Sequence, residues 1–236
     1  MPANRYFLPT PFTERETHHV TGEELHHLAR VMRKKGGDTI ELVNGQGALA
    51  TALITELSSR KATVSLTRVE RTAPLLPPLI LIQALLPLPQ LKLIVQKTTE
   101  LGVSDLFFFP ACLSEKSMPT LAHRERLHAT AIAALKQCGR LDLPTMTFLP
   151  DLSHLPSLDF PLFFGDLRAE APWLKASSSL ARGGGMMIGP EKGWTERELI
   201  LFEKNHRAQG VKLHPYTLRA ETAAIAAIAA LSQLMV

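Results

Sequence analysis

Arg219 and Glu221 stand at the start of the last helical run of the chain, in Leu218-Arg219-Ala220-Glu221-Thr222-Ala223. A helix N-terminus carries partial positive charge, so the carboxylate of Glu221 is favoured there and the cation of Arg219 is disfavoured, by roughly 0.3 kcal/mol or more. Arginine in that position points to an anionic partner, a phosphate or a carboxylate, or else to neutralisation by Glu221 alone. A second stretch carries related signals. Met186 to Ile188 reads as a short strand that stops at Gly189-Pro190, where glycine permits unusual backbone angles and proline withholds a donor. Glu191-Lys192-Gly193-Trp194 follows, and the spacing of Thr195 and Glu198 is that of a capping box opening a helix. Gly210 then marks the helix exit, Val211 to Leu213 a second short strand, and His214-Pro215 a second loop. Ligands of α/β sheets bind beyond the carboxyl ends of strands, so two such loops close in sequence outline a binding site.

These loops need a scaffold. Leu79 to Ala84 reads as a buried strand, Leu91 to Leu101 as a helix closed by Gly102, and Leu106 to Phe109 as a strand ended by Pro110. Leu121 to Cys138 is a long helix with Gly139 as its cap, and Met146 to Phe148 and Leu162 to Phe164 are further strands. Strands alternating with helices predict a parallel α/β sheet. Gly165-Asp166-Leu167 leaves the last of these strands as a third candidate loop. Gly183-Gly184-Gly185 precedes a strand and is followed by no Lys-Ser/Thr, so it reads as a flexible connector and not a phosphate cradle. The closing run, Ala220 to Leu234, is rich in alanine, the strongest helix former.

Ahead of Pro74, Pro77 and Pro78 the pattern is different. Those prolines stiffen a connector and divide the chain into residues 1–72 and 73–236. In the front part Thr21 and Glu24 repeat the capping-box spacing and open a short helix with Leu25, Leu28 and Met32 on one face. His26, His27, Arg30, Arg33 and Lys34 fall on its other side, as a solvated face or as a surface that tracks phosphates. Thr39 to Val43 and Ala48 to Leu57 flank the hairpin signal Asn44-Gly45, and Lys61 to Val69 alternates, so a small β-barrel or sheet follows. Gly45-x-Gly47-x-x-Ala50 imitates a dinucleotide fingerprint, but a strand follows it where a helix is needed.

Composition limits the alternatives. The chain has 236 residues, 45% of them hydrophobic, enough for a proper core, and a formal charge of +4 that suits a polyanionic partner. Cys112 and Cys138 stand far apart, so no disulfide framework and no zinc site is indicated, and the histidine pairs have no carboxylate or cysteine spacing beside them. No metal and no membrane span are expected, and the simplest location is cytoplasmic.

The ordered motifs carry a resemblance. Ile188-Gly189-Pro190-Glu191-x-Gly193 and Leu218-Arg219-x-Glu221-Thr222-Ala223 resemble the paired signature of the RsmE family of ribosomal RNA uridine N3-methyltransferases, of the SPOUT class. His27-Leu28-x-x-Val31-Met32-Arg33 with Gly37-Asp38, Gln96-Lys97-x-x-Glu100-Leu101-Gly102-Val103, and Gln137-x-Gly139-Arg140 recur in the family's order across nearly the whole chain. The resemblance implies a PUA-like RNA-binding β-barrel in residues 1–72 and, in 73–236, an α/β SPOUT domain with a parallel sheet and a C-terminal trefoil knot. It implies S-adenosyl-L-methionine as cofactor, held largely by backbone of Gly165 to Leu167, Ile188 to Gly193 and Leu213 to Thr222. On that basis Leu167, Ile188, Gly189, Pro190, Glu191, Gly193, Leu213, Leu218, Ala220 and Thr222 are expected to bind cofactor, and Arg219 and Glu221 to serve catalysis. Arg5, Arg30, Arg33, Lys34 and Lys192 are expected to bind RNA. The expected substrate is N3 of a uridine in 16S, small-subunit ribosomal RNA, within the assembled or assembling 30S subunit, and the expected state is a homodimer. A SPOUT enzyme acting on transfer RNA, or a non-catalytic RNA-binding or ribosome-assembly protein, are the alternatives. Three positions depart from the family pattern: Lys192 and His214 replace glycine, and Tyr216 replaces arginine.

Overall fold

The computed structural model describes residues 5–74, 77–115, 117–174 and 180–235. It divides into two compact units, one of residues 1–75 with 132–143 and one of 76–131 with 144–236.

The first unit contains β1 (Arg5–Phe7), β2 (Thr17–Val20), β3 (Thr39–Val43), β4 (Ala48–Leu57) and β5 (Ala62–Arg71), in the sheet order β1-β3-β4-β5-β2. Strands β3, β4 and β5 pair antiparallel, and β1 pairs parallel with β3. Ala48, Ala50, Ala52 and Ile54 of β4 and Ala62, Val64 and Leu66 of β5 are buried, so the period of two makes one core face. At the Asn44-Gly45 turn the Asn44 side-chain oxygen accepts from the N–H groups of Gln46 and Ala48, at 2.8 and 3.1 Å. Register shifts between Thr51 and Ala52 and between Ile54 and Glu56 bend the long β4–β5 pair, and such irregularities sharpen twist. The sheet curls over a core of Tyr6, Phe12, Leu28, Ile40 and Leu42.

The short helix departs from its sequence pattern. α1 (Gly22–His26) runs into a π-helical turn, His27–Val31, in which the Met32 N–H donates to the His27 carbonyl at 2.9 Å. Arg33 takes φ 51°, and the Lys34 N–H closes onto the Leu28 carbonyl at 3.1 Å. Arg33 and Lys34 therefore lie past the helix instead of on its face, and the His27 ring sits 5.6 Å from that of Tyr6. Nor does the Thr21 side chain cap this helix. Lys136 takes the Glu24 carboxylate at 2.5 Å and so competes with the Thr21 N–H for it.

In the second unit β6 (Leu79–Ala84), β7 (Asp105–Phe109), β8 (Thr145–Phe148), β9 (Leu162–Gly165), β10 (Gly184–Ile188) and β11 (Gln209–Val211) form a sheet ordered β11-β9-β10-β6-β7-β8. Every pair in it is parallel. The helices are α2 (Leu88–Glu100), α3 (Leu121–Cys138), α4 (Glu196–Asn205) and α5 (Ala220–Leu234). All six residues of β6 are buried, as in a strand covered on both faces. α2 starts earlier than the apolar period suggests, with proline in its first turn, where a missing N–H costs nothing. α5 returns from the edge strand β11 to the middle of the sheet and packs on β6, β10 and α2. Its buried face includes Ala224, Ala227, Ile228 and Leu231, small and branched residues that allow a close fit.

Two glycine readings are corrected. Gly184 and Gly185 belong to β10, because a Cβ on Gly185 would stand 2.6 Å from Leu162 Cδ2; they permit close strand packing, not flexibility. β11 lies two residues earlier than predicted and contains Gly210, where a Cβ would strike the Asp166 carboxylate and the Phe164 ring. Among the described residues no helix is long and apolar enough to cross a membrane.

His206 ends α4 half-buried, its Nε2 enclosed without a hydrogen-bond partner. Burial holds its imidazole below the ordinary value of 6.5. The unfolded chain accepts a proton near that value while the folded chain refuses it, so this contribution to stability is full above pH of about 6.5 and is lost as pH falls. Urea unfolding between pH 7.5 and 5 is expected to show a steeper loss of stability for the wild type than for His206→Asn.

Candidate functional site

The carboxyl ends of β9, β10 and β11 release three loops around one cleft of ≈ 980 Å³. The first loop holds Asp166, buried, whose carboxylate accepts from the Arg168 N–H at 2.9 Å and from its guanidinium at 2.7 Å. Arg168 also reaches Glu203 at 3.0 Å. Hydrogen bonds to Asp166, then to Glu203, hold the guanidinium proton more tightly than usual.

The second loop ends in the predicted capping box. The Thr195 hydroxyl accepts from the Glu198 N–H at 3.3 Å, and the Glu198 carboxylate accepts from the Thr195 N–H at 2.8 Å. Its other oxygen accepts from the Cys112 N–H at 2.8 Å. Lys192 forms an exposed ion pair with Glu115 at 2.8 Å, and a hydrogen bond and the charge of Glu115 raise its affinity for its proton. In the third loop the Tyr216 N–H donates to His214 Nδ1 at 3.2 Å, so that ring nitrogen is unprotonated in this geometry. Tyr216 is 78% exposed, Leu167 73% and Trp173 45%, which leaves apolar side chains at the mouth of the cleft.

Leu167, Ile188, Gly189, Pro190, Glu191, Lys192, Gly193, Leu213, Leu218, Arg219 and Ala220 line this one space. Glu221 is half-buried in the first turn of α5 and Thr222 is exposed; neither is part of the lining. Arg219 caps α5 in an extended conformation, exposed, with no hydrogen bond from its side chain to the helix end. Among the described cations of the lining, Arg168 and Lys192 are engaged as above and Lys212 donates to the Ala169 carbonyl at 2.6 Å. Arg219 keeps its charge to offer. The rest of the wall is backbone-rich or apolar, with Gly165, Gly189, Pro190, Gly193, Ile188, Leu199, Leu213 and Leu218. Such a wall suits an aromatic nucleoside better than a polyphosphate. Among the described residues no histidine, cysteine and carboxylate group could hold a metal ion.

The predicted RNA contacts divide. Arg30 and Arg33 are exposed and Lys34 half-exposed in the first unit. Arg5 leaves that set, because its guanidinium donates to Glu41 at 2.8 Å across the β1–β3 pair and to the Gly139 carbonyl at 2.7 Å. Sequence reasoning also passed over Asp166, Trp173 and Trp194. Gln83 was passed over as well; it is fully buried under the second loop and donates to the carbonyls of Ala84 and Ile188 at 2.9 and 3.4 Å. A lone amide in Leu-Ile-Leu-Ile-Gln-Ala was the available signal for Gln83.

Residues 73–232 match the family model of an RNA methyltransferase domain, and residues 20–67 that of an RNA methyltransferase PUA domain. The chain belongs to this RNA methyltransferase family. It is 30% identical to Ribosomal RNA small subunit methyltransferase E of Bacillus subtilis over 97% of this chain and 95% of that protein. The enzyme of the same name from Treponema pallidum is 30% identical over 86% of this chain and 80% of its own length. A crystal structure of Ribosomal RNA small subunit methyltransferase E from Neisseria gonorrhoeae, bound to S-adenosyl methionine, superposes with a TM-score of 0.83 at 28% identity. That match covers 98% of this chain and 97% of the other. A Legionella pneumophila methyltransferase at 23% identity and TM-score 0.85 shares the fold. The family read from the ordered motifs is therefore the right one, with a PUA-like front domain and a SPOUT-type α/β domain.

Because Arg5 is spent internally, Arg5→Ala is expected to lower stability to urea by roughly 1–2 kcal/mol, the worth of charge-assisted hydrogen bonds at a half-buried site. RNA affinity in a filter-binding assay is expected to stay within about twofold.

Proposed function

We propose that this member of the family is an S-adenosyl-L-methionine-dependent methyltransferase that methylates N3 of a uridine in 16S, small-subunit ribosomal RNA. The observation that carries the reading is the convergence of three strand-end loops on one cleft whose wall is neutral except for Arg219. The cleft fits that cofactor in kind: glycine and proline backbone for the polar edge of an adenine, and Ile188, Leu199, Leu213 and Leu218 for its faces. Leu167, Ile188 to Glu191, Gly193, Leu213, Leu218 and Ala220 are the residues that would hold it. Thr222 lies outside the lining and would act only through the helix start.

When bound, S-adenosylmethionine supplies a methyl group already activated on a sulfonium. The chain's own task is then to orient a uracil ring and to ease departure of the N3 proton. Arg219, beside the cleft and unpaired with its own helix end, offers charge to the anion that forms on the ring or to an adjoining phosphate. Glu221 stands in the first turn of the same helix, where it offsets the macrodipole and keeps Arg219 from being the sole charge there. Arg30, Arg33 and Lys34 supply phosphate contacts from the PUA-like domain, and Lys192 does so once its pair with Glu115 opens. Within the 30S subunit the target base must be single-stranded or displaced from its stack to enter the cleft. A homodimer and a cytoplasmic location complete the reading.

Arg219→Ala is expected to cut turnover on 30S subunits about 100-fold, with cofactor affinity by calorimetry within about threefold of wild type. Mass spectrometry of 16S RNA from a strain lacking the gene should lose one N3-methyluridine; an unchanged nucleoside profile, or the loss of a transfer RNA mark instead, defeats the proposal.

A further inference from the structure

Trp194 stands where the first two loops meet. Its indole N–H donates to the carbonyl of Gly165, the last residue of β9, at 3.1 Å. Its ring lies on the backbone of Gly189, the first residue after β10, where a Cβ would stand 3.1 Å from Trp194 Cε2. One side chain therefore touches the starts of two loops that line the cleft.

That ring is itself fixed. Phe109 stacks on it at 6.2 Å and 8°, and Phe202 meets it edge-on at 4.7 Å and 80°. On the following residue, Thr195, the N–H and the hydroxyl both donate to one oxygen of Glu198, and the Cys112 N–H donates to the other. Glu198 is 6% exposed, so its charge is spent on those donors in a medium where such bonds are strong. The backbone on the far side of Trp194 is thus pinned to the end of α4 and to the loop after β7.

We propose that Trp194 is a positioning residue for the cofactor: its indole N–H clamps the Gly165 carbonyl to the second loop and sets the width of the slot between them. The inference rests on the cofactor reading above. The clamp acts before chemistry, on binding, because it joins the walls and leaves Arg219 and the third loop alone.

The test is calorimetry and steady-state kinetics on the full chain with S-adenosylmethionine, comparing wild type with Trp194→Phe. Phenylalanine keeps an aromatic ring between Phe109 and Phe202 and removes only the donor. The expected result is a Kd and a KM for S-adenosylmethionine raised about 5- to 10-fold, as for one lost hydrogen bond, with kcat within about twofold. A general loss of packing would lower kcat and the thermal midpoint instead. Affinity within about twofold of wild type overturns the clamp, whereas absence of binding by the wild type overturns the cofactor reading together with it. Because the chain has two tryptophans, Trp173→Phe leaves Trp194 as the sole indole. Its emission is expected to shift on saturation with S-adenosylmethionine, and an unmoved spectrum overturns the clamp even if Trp194→Phe does not fold.

Discussion

Parallel pairing obliges all strands of a sheet to finish on the same side. In this protein Met187 of β10 sits opposite Phe164 of β9, and Val211 of β11 sits opposite Gly165. Gly165, Ile188 and Val211 therefore reach the rim together, and the loops they release share one space whatever their individual sequences. The registers are held by the core: a one-residue slip of β9 would turn Phe164 away from Phe202, whose ring lies 5.4 Å from its own. Even the glycines serve this arrangement, since Gly185 admits Leu162 and Gly210 admits Phe164 at distances a side chain would forbid. The site is a by-product of strand alignment, and α5 completes it by carrying Arg219 and Ala220 back to that rim.

What could be read from the sequence were features written within a few residues. β6 and α3 fall where apolar run and helical period placed them, and the Thr195–Glu198 box forms as its spacing demands. Gly189-Pro190 and His214-Pro215 announced loops, and both line the cleft. Features written across long separations were invisible. Arg5 looks like a free cation until Gly139, 134 residues away, offers its carbonyl. Glu24 has the right spacing for a cap and is taken by Lys136. Trp194 follows the quoted motif directly, yet its partner Gly165 lies on another strand. Gly184 and Gly185 resemble a hinge because local composition carries no record of the neighbour that crowds them.

Charge is distributed in a way that net composition conceals. A formal +4 suggests a broadly basic surface, but several cations near the cleft are neutralised at home, Arg168 by Asp166 and Glu203 and Lys192 by Glu115. The result is a slot largely without competing fields, in which the guanidinium at the head of α5 has local influence out of proportion to its single charge.

The π turn at His27–Val31 holds one residue more per turn than the helix that leads into it. Removing a single residue from that turn would restore ordinary winding and swing everything after it by about 100° about the axis. Arg33 and Lys34 would then emerge on a different azimuth without any substitution. In this domain a gap of one position in a relative is thus equivalent to rewriting the basic surface, a change that counting lysines and arginines would never detect.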